Sequence, residues 1–462
     1  MSEKVKIKIA RNVVHLPAIA LRGLVVFPNN VVHFEVGRTK SIAAIEAAMH
    51  ANSSVFLVAQ REMDEEEPAL HDLYAYGVIA EIKQVLRVSD DLVKVLVEGK
   101  TRARLLELDA GEKYLQATVR PVAVRGIPAD KRNQVEALVR SLKKRAEDVA
   151  RCHVEIIGAV TKGQQGKELA ELGDMVQAGA VAFSDDGHFD PTAKVLLNAY
   201  DYLHAFDKVI INHEEETSLV EDGVMNEGHR SAMLGMKGRP TVAEDIAVAR
   251  DVMLAEYAGA RVHVAHMSSA RAVDIVRQAK KRGVRVTAEV TPQHLTMTDD
   301  CVNLYDSSTK INPPLRTQAD CDALLAGLKD GTIDAIVTDH SPHAQEEKDR
   351  EYMFAPSAFP GLETSLGVML TDLYHAGKLD LKTIISKMTW EPAKVFKLDA
   401  GTLNVGSAAD ITVIDPDKEW VVDAKNFYTK GSHSPFIGRK FKGKAVMTFV
   451  DGKMMMRDGK VE

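Results

Sequence analysis

Residues 337–343 read VTDHSPH and close the apolar run IDAIVTDH. A carboxylate at the end of such a run, Asp339, is of the type that ligates a divalent metal and takes a proton from the water the metal activates. Three further apolar runs end in related chemistry: AVAFSDDG in Asp185 and Asp186, KVIINHEE in His213, and RVHVAHMSS in His266. Taken singly, each is ordinary. A histidine in an apolar strand is by default a satisfied core or loop residue, and Asp-Asp-Gly after a strand is by default a turn. The coincidence of four strand ends bearing imidazole or carboxylate is what points to a metal site, because both are zinc ligands.

Such residues need elements that bring their ends together. From residue 154 the chain alternates short apolar runs with helices of roughly 12–18 residues. VEIIGAV precedes KELAELGDMVQAG, AVAFSDDG precedes TAKVLLNAYDYLHAF, KVIINHEE precedes TVAEDIAVARDVMLAEYAG, and RVHVAHMSS precedes ARAVDIVRQAKKRG. RVTAEVTPQH is followed by CDALLAGLKDG, and DAIVTDHSPH by LETSLGVMLTDLYHAG. Repeated strand–helix units imply a parallel sheet. In a parallel barrel the reactive residues gather at the C-terminal strand ends, where Asp185, Asp186, His213, His266 and Asp339 all fall.

The 462 residues exceed what one core usually organises, so two or three domains are expected. A net charge of -7 over this length gives nucleic acid no purchase. The three cysteines are too few and too scattered for a disulfide framework or a four-thiolate zinc site. The N-terminus MSEKVKIKIARN has no apolar core of a leader, and no run of about 18 apolar residues occurs, so the sequence predicts a reduced, cytoplasmic protein without a membrane partner.

Residues 13–122 read mostly as strand, punctuated by Arg-Gly and Pro-Asn-Asn turns, with one helix over SIAAIEAAMHA. YGVIAEIKQVLRVSDDLVKVLVEG predicts a long hairpin tipped by Ser-Asp-Asp, RARLLEL and YLQATVRPV complete the unit, and REMDEEEPALHD reads as a solvated loop. The order and spacing of LPAIALRGLVVFPNNVVHFEVGRTKSIAAIEAAM, VFLVAQ, DLYAYGVIAEIKQVLR and VKVLVEGKTRARLLEL resemble the N-terminal domain of Lon proteases, over about residues 10–145. That resemblance implies a PUA-like β-barrel that engages unfolded polypeptide and carries no catalytic residues. No GxxxxGK[ST] phosphate-binding loop follows, so the chain is not itself a Lon protease. Residues 124–150 read as a turn and a charged helix starting near Pro128 and Asp130, and the resemblance changes within that helix, near residue 145.

From about 146 to 462 the chain resembles a class I dihydroorotase of the amidohydrolase superfamily, through GAVTKGQQGKELAELGDMVQAGAVAFSDDG, INHEE, VAHMSS, VTAEVTPQH, KINPPLR, DGTIDAIVTDHSPHAQEEK, GLETSLGVML and the tail GTLNVGSAADITVIDP. The resemblance implies reversible, zinc-dependent opening of the cyclic amide of dihydroorotate to carbamoyl aspartate, a step of pyrimidine biosynthesis. Carried over by position, it assigns metal ligation to Asp186, His213, His266 and Asp339, and proton transfer to Asp339. It assigns substrate contacts to Asn312 and His343, and a backbone contact to the loop holding Gly361.

The same resemblance calls for a His-x-His pair on the first barrel strand, and no two of the sixteen histidines here stand one residue apart. VEIIGAV corresponds to the third strand of that barrel, so about six of eight strands are expected. The combined fold expectation is α/β and β. A PUA-like domain (1–123) and a helical join (124–150) precede an incomplete TIM-type (β/α) hydrolase barrel (151–398) and remnant strands of a β-sandwich (399–462). Strands such as VEIIGAV and AIVTD should lie at open edges, with room for pairing to a second copy. The surviving ligands make a partial zinc site, and catalysis is expected to be very weak or absent. Two other readings stay open: a non-catalytic protein that binds polypeptide through the Lon-like domain, and a chimera without function.

Overall fold

The computed structural model describes residues 13–462 apart from 29–30, 63–64, 90, 112, 123–128, 188–190 and 304. The turn read at Asn29 and Asn30, the hairpin-tip residue Asp90, part of the acidic loop and the helix start at Pro128 lie outside these residues, as does the side chain of Asp130. Two compact units result, residues 1–130 and 131–462.

The first unit contains β1 (Val14–Leu21), β2 (Val31–Val36), β3 (Ser54–Ala59), β4 (Tyr76–Ser89), β5 (Leu92–Asp109) and β6 (Leu115–Pro121). The sheet order β2-β5-β4-β3-β1-β6 closes through a further β5–β6 pairing, which makes a small barrel with β2 added on β5. RARLLEL, expected as a separate strand, is the second half of the 18-residue β5. Register irregularities at Ile79/Ala80 and Leu105/Glu107 bend the long strands so that one strand serves both β4 and β6. Alternation sets the inside: Val93, Val95 and Val97 are buried with Ile42 and Ile45 of the helix Thr39–His50.

In the second unit, β7 (Ile156–Gly158), β8 (Ala180–Phe183) and β9 (Val209–Asn212) are followed by a two-stranded ribbon of β10 (Met225–Asn226) and β11 (Gly238–Arg239). Next come β12 (Arg261–Val264), β13 (Val286–Val290) and β14 (Ala335–Ile336). Six strands form one sheet in the order β14-β13-β12-β9-β8-β7, with every pairing parallel. Each strand thus lies beside its predecessor in the chain, as in a barrel, and β7 and β14 stand at the ends as the sequence predicts. The helices Ala193–His204, Val242–Ala258, Ala270–Lys281 and Gln318–Asp330 follow their strands. Their apolar stripes and the strands share one core, which includes Phe183, Tyr200, Ile210, Val248, Val262, Val276 and Leu324.

Two helices differ from expectation. KELAELGDMVQAG is helical only over Leu172–Ala178, because Lys162 N–H donates to the Glu168 carbonyl and Thr161 bridges Leu169, which folds the preceding residues back. LETSLGVMLTDLYHAG holds a short α-turn, Ser365–Val368, that widens into a π-turn over Met369–Tyr374. There the Thr371 hydroxyl accepts from the Lys442 N–H at 2.9 Å. The tail forms its own antiparallel sheet of β15 (Ile411–Val421), β16 (Lys440–Val450), β17 (Lys453–Arg457) and β18 (Lys460–Val461). Among the described residues no helix is long and apolar enough to cross a membrane.

Candidate metal centre

The end of β8 carries two adjacent carboxylates with different surroundings. Asp185 is buried and accepts from the amides of Val160 (2.8 Å) and Thr161 (3.1 Å) and from the Thr161 hydroxyl, which ties β8 to the segment after β7. Asp186 points elsewhere. Its Oδ1 lies 3.3 Å from His266 Nε2 and 3.4 Å from His213 Nδ1, and those two nitrogens are 3.1 Å apart. His213 follows β9 and His266 follows β12, so three neighbouring C-terminal strand ends meet at one point. His266 adopts φ +29 and Asp339 φ +48, left-handed backbone that non-glycine residues reach only at a cost, and such strain gathers at functional positions.

The donors fit a metal ion. Ligand atoms at zinc distances of about 2.0–2.1 Å in tetrahedral geometry stand about 3.3 Å from one another, close to the observed triangle. Two imidazole nitrogens and a carboxylate are a common zinc donor set. His213 turns its other nitrogen to Asn312 (3.1 Å) and Glu215 (3.9 Å), an outer partner of the kind that orients ligating imidazoles. Among the described residues, His266 Nδ1 is buried with no hydrogen-bond partner. Within the cluster the side chains bias one another's protonation. Burial opposes ionisation of Asp186, but hydrogen bonds from His213 and His266 outweigh it and hold the carboxyl far below the usual range. Burial works against protonated His266, yet the Asp186 hydrogen bond and the Asp186 and Asp339 charges push its pKa up to about 9.

Asp339 does not join the triangle. The ligand atoms mutually within 4.8 Å belong to Asp186, His213 and His266. Asp339 is nonetheless in the same field: burial pushes its carboxyl up, and the His266 charge pulls against that shift. Asn312 is at the centre, receiving Arg239 at 2.7 Å on its Oδ1. His343 faces the Ser357 carbonyl at 2.9 Å and Glu347 at 3.8 Å. Gly361 packs on the strand end that bears Asp339, where a Cβ would fall 2.6 Å from the Thr338 carbonyl oxygen.

Sequence reasoning gave no role to the supports beneath the ligands. Glu244 accepts from the amides of Ser268 (2.8 Å) and Ser269 (3.1 Å), just beyond His266. Arg316 is buried and donates to Ser268 Oγ and to Asn226 Oδ1, both at 3.0 Å. His294 Nε2 lies 2.9 Å from the Pro313 carbonyl, beside Asn312. Arg316 and His294 sit inside KINPPLR and VTPQH, and their only signal was a polar residue in an apolar setting. A second His–carboxylate group, His153 with Asp410 and Asp451, is a surface ion cluster at 3.2 and 3.7 Å.

A parallel sheet in chain order, with two imidazoles and a carboxylate clustered at its C-terminal ends, is the layout of a (β/α) barrel site. The amidohydrolase family model matches residues 123–455, and the chain belongs to that family. The substrate-binding domain of ATP-dependent protease La (LON) matches residues 15–183. Within the family the chain is dihydroorotase-like. It is 46% identical over 326 residues to a dihydroorotase of Syntrophus aciditrophicus (strain SB), a match covering 71% of this chain and 76% of that protein. To the dihydroorotase of Pelotomaculum thermopropionicum it is 52% identical over 302 residues, covering 65% and 71%. Among solved structures, an L-hydantoinase (dihydropyrimidinase) from Arthrobacter aurescens aligns with a TM-score of 0.64 at 29% identity, covering 71% of this chain and 75% of that one.

Proposed function

We propose that Asp186, His213 and His266 hold one zinc ion and that the centre is built for the dihydroorotate–carbamoyl aspartate interconversion. The observation that carries this is the 3.1–3.4 Å triangle of their ligand atoms at three adjacent strand ends. A zinc held by Asp186, His213 and His266 would supply a Lewis acid for the amide carbonyl and for the attacking water. Asp339, also at a strand end, takes the proton of the attacking water and returns it to the leaving nitrogen. Asn312, His343 and the backbone at Gly361 contact the ring and its carboxylate. Because all three donors come from one side, and no His-x-His pair occurs, this chain turns over far more slowly than its relatives. We assign it to the cytoplasm, where the exposed thiols of Cys152 and Cys301 stay reduced.

The test is metal content and dihydroorotate hydrolysis of the purified chain beside a His266→Ala variant. About one equivalent of zinc in the parent and little in the variant is expected. Metal below about a tenth of an equivalent, with turnover no higher than the variant, overturns the hydrolase reading.

A second reading concerns residues 1–130. An apolar cleft of about 450 Å³ is lined by Leu21, Val26, Phe27, Leu57, Tyr74 and Tyr76. Phe27 is 48% exposed and Tyr76 52%, an open aromatic surface suited to an extended apolar peptide. Binding of a reduced, carboxymethylated polypeptide by the full chain, weakened by Tyr76→Ser, is expected. Equal binding by parent and variant removes the cleft from the account.

A further inference from the structure

The parallel sheet stops abruptly at β7. It pairs with β8 on one side, and among the described residues no strand pairs on the other. The Gly158 carbonyl accepts from Ser184 N–H at 2.8 Å, so Gly158 turns its backbone toward β8. In a parallel strand the preceding residue turns both N–H and C=O the opposite way. Ile157 therefore presents its amide and carbonyl to the free edge, and its side chain is 49% exposed, beside Val154 at 47%. An apolar edge with unpaired backbone is a template for another strand. The far end differs: the helices Leu381–Met388 and Trp390–Phe396 pack on β14, and Lys387 donates to the Ile333 carbonyl at 2.6 Å.

We propose that the free edge of β7 docks a second polypeptide carrying two adjacent parallel strands with their helices. By the sequence resemblance, VEIIGAV matches the third strand of the dihydroorotase barrel, so two such units are what that resemblance leaves outside this chain. The inference rests on the amidohydrolase reading. Three observations support that occupant. The first is size. The sheet has six strands, and eight is the number at which inward side chains just fill a barrel. The two dihydroorotase matches leave about a quarter of each relative uncovered, and the sequence resemblance, which makes β7 the third strand, would place that quarter ahead of it.

The second is direction. Another copy of this chain cannot finish the sheet. Two β7 edges related by a two-fold axis run antiparallel, and β7 against β14 of another copy leaves fresh edges at each end, a contact that does not close. The third is the cover of the centre. Side-chain exposure falls from 50% at Asp186 to 11% at His213 and 6% at His266, moving from β8 inward through β9 and β12. Asp186, at the end of the strand next to β7, is thus the most solvent-exposed of the three, and strands added to β7 would end on the same face as the cluster.

The test co-expresses the full chain with a tagged N-terminal quarter of the Pelotomaculum thermopropionicum dihydroorotase. The remaining three quarters of that same protein serve as the positive control for a competent fragment. Capture of this chain in a 1:1 complex is expected. It should be lost in Ile157→Pro, which removes the outward N–H while β8 pairing, thermal midpoint and zinc content stay as in the parent. A fragment that captures its own three quarters but not this chain overturns the proposal, and so does undiminished capture by Ile157→Pro. Self-association of the chain with no fragment taken up overturns it as well. The complex is then assayed for dihydroorotate hydrolysis against His266→Ala. Capture without turnover leaves the docking edge standing and removes the hydrolase reading, so the two can fail separately.

Discussion

Two neighbouring aspartates show how one residue type divides into structural support and proposed ligand. Asp185 is buried under donors from Val160 and Thr161, whereas Asp186 faces two imidazoles. Asp185→Asn removes a charged acceptor from buried amides and should cost about 1–3 kcal/mol of stability, read by urea unfolding, with zinc content kept. Asp186→Asn should do the reverse, losing zinc with a midpoint little changed. Equal effects of the two would dissolve the distinction. His294 gives a pH dependence. Burial pushes its pKa down to about 3 from an ordinary 6.5, so between those values the unfolded chain binds the extra proton. Stability contributed by the neutral ring is then present above about 6.5 and falls as pH drops toward 3, by at most about 1.4 kcal/mol per pH unit. His294→Gln should flatten that slope in denaturation curves taken from pH 7 to 4. The sequence singled out Asp186, His213 and His266 because each ends an apolar run, and the fold brings the three together. The apolar-run pattern alone could not separate Asp185 from Asp186, since both sit in one Asp-Asp-Gly; the family resemblance chose Asp186, and the fold turns that carboxylate toward the imidazoles.

Elements were readable where periodicity is strong and hard to read where a tertiary contact overrides it. The helix over TVAEDIAVARDVMLAEYAG appears as Val242–Ala258, capped by Gly259 in left-handed conformation. The KELAELGDMVQAG helix lost its first turn to a loop held across the chain, and no local pattern announces such a contact. The segment after VTDHSPH was equally silent. Lys310 is buried and donates to the carbonyls of Tyr352 (2.7 Å), Met353 (3.0 Å) and Ala355 (2.8 Å), and Lys348 donates to those of Pro356 (3.0 Å) and Ala358 (3.1 Å). Two lysines thus pin one stretch of loop that leads into Gly361. Lys310→Met leaves three carbonyls without their donor and should open the loop locally by about 2–3 kcal/mol. The reporter is the Ala358 amide, which donates to the Lys310 carbonyl at 2.7 Å. Its hydrogen exchange should quicken roughly 30- to 150-fold, and an unchanged rate would mean that the lysine is a passenger.

Across the whole chain, each unit builds its own core. One set of buried side chains gathers around β2, β4 and β5 with the helix Thr39–His50, and another around the parallel sheet. The proposed metal ligands lie in residues 131–462, and the aromatic cleft lies in residues 1–130. A lesion deep in one core should therefore leave the other unit's chemistry in place. Gly99 is the position to use. It is buried in β5, and a Cβ there would stand 2.1 Å from the Phe27 carbonyl oxygen, so Ala forces backbone to move. Gly99→Ala should cost about 3 kcal/mol or more and weaken capture of unfolded polypeptide, because Phe27 lines the cleft. Zinc content should stay at the parent level. His266→Ala should give the opposite pattern, with zinc gone and polypeptide capture intact. If Gly99→Ala also strips the metal, the units fold as one cooperative body, and the separation drawn from their cores is wrong.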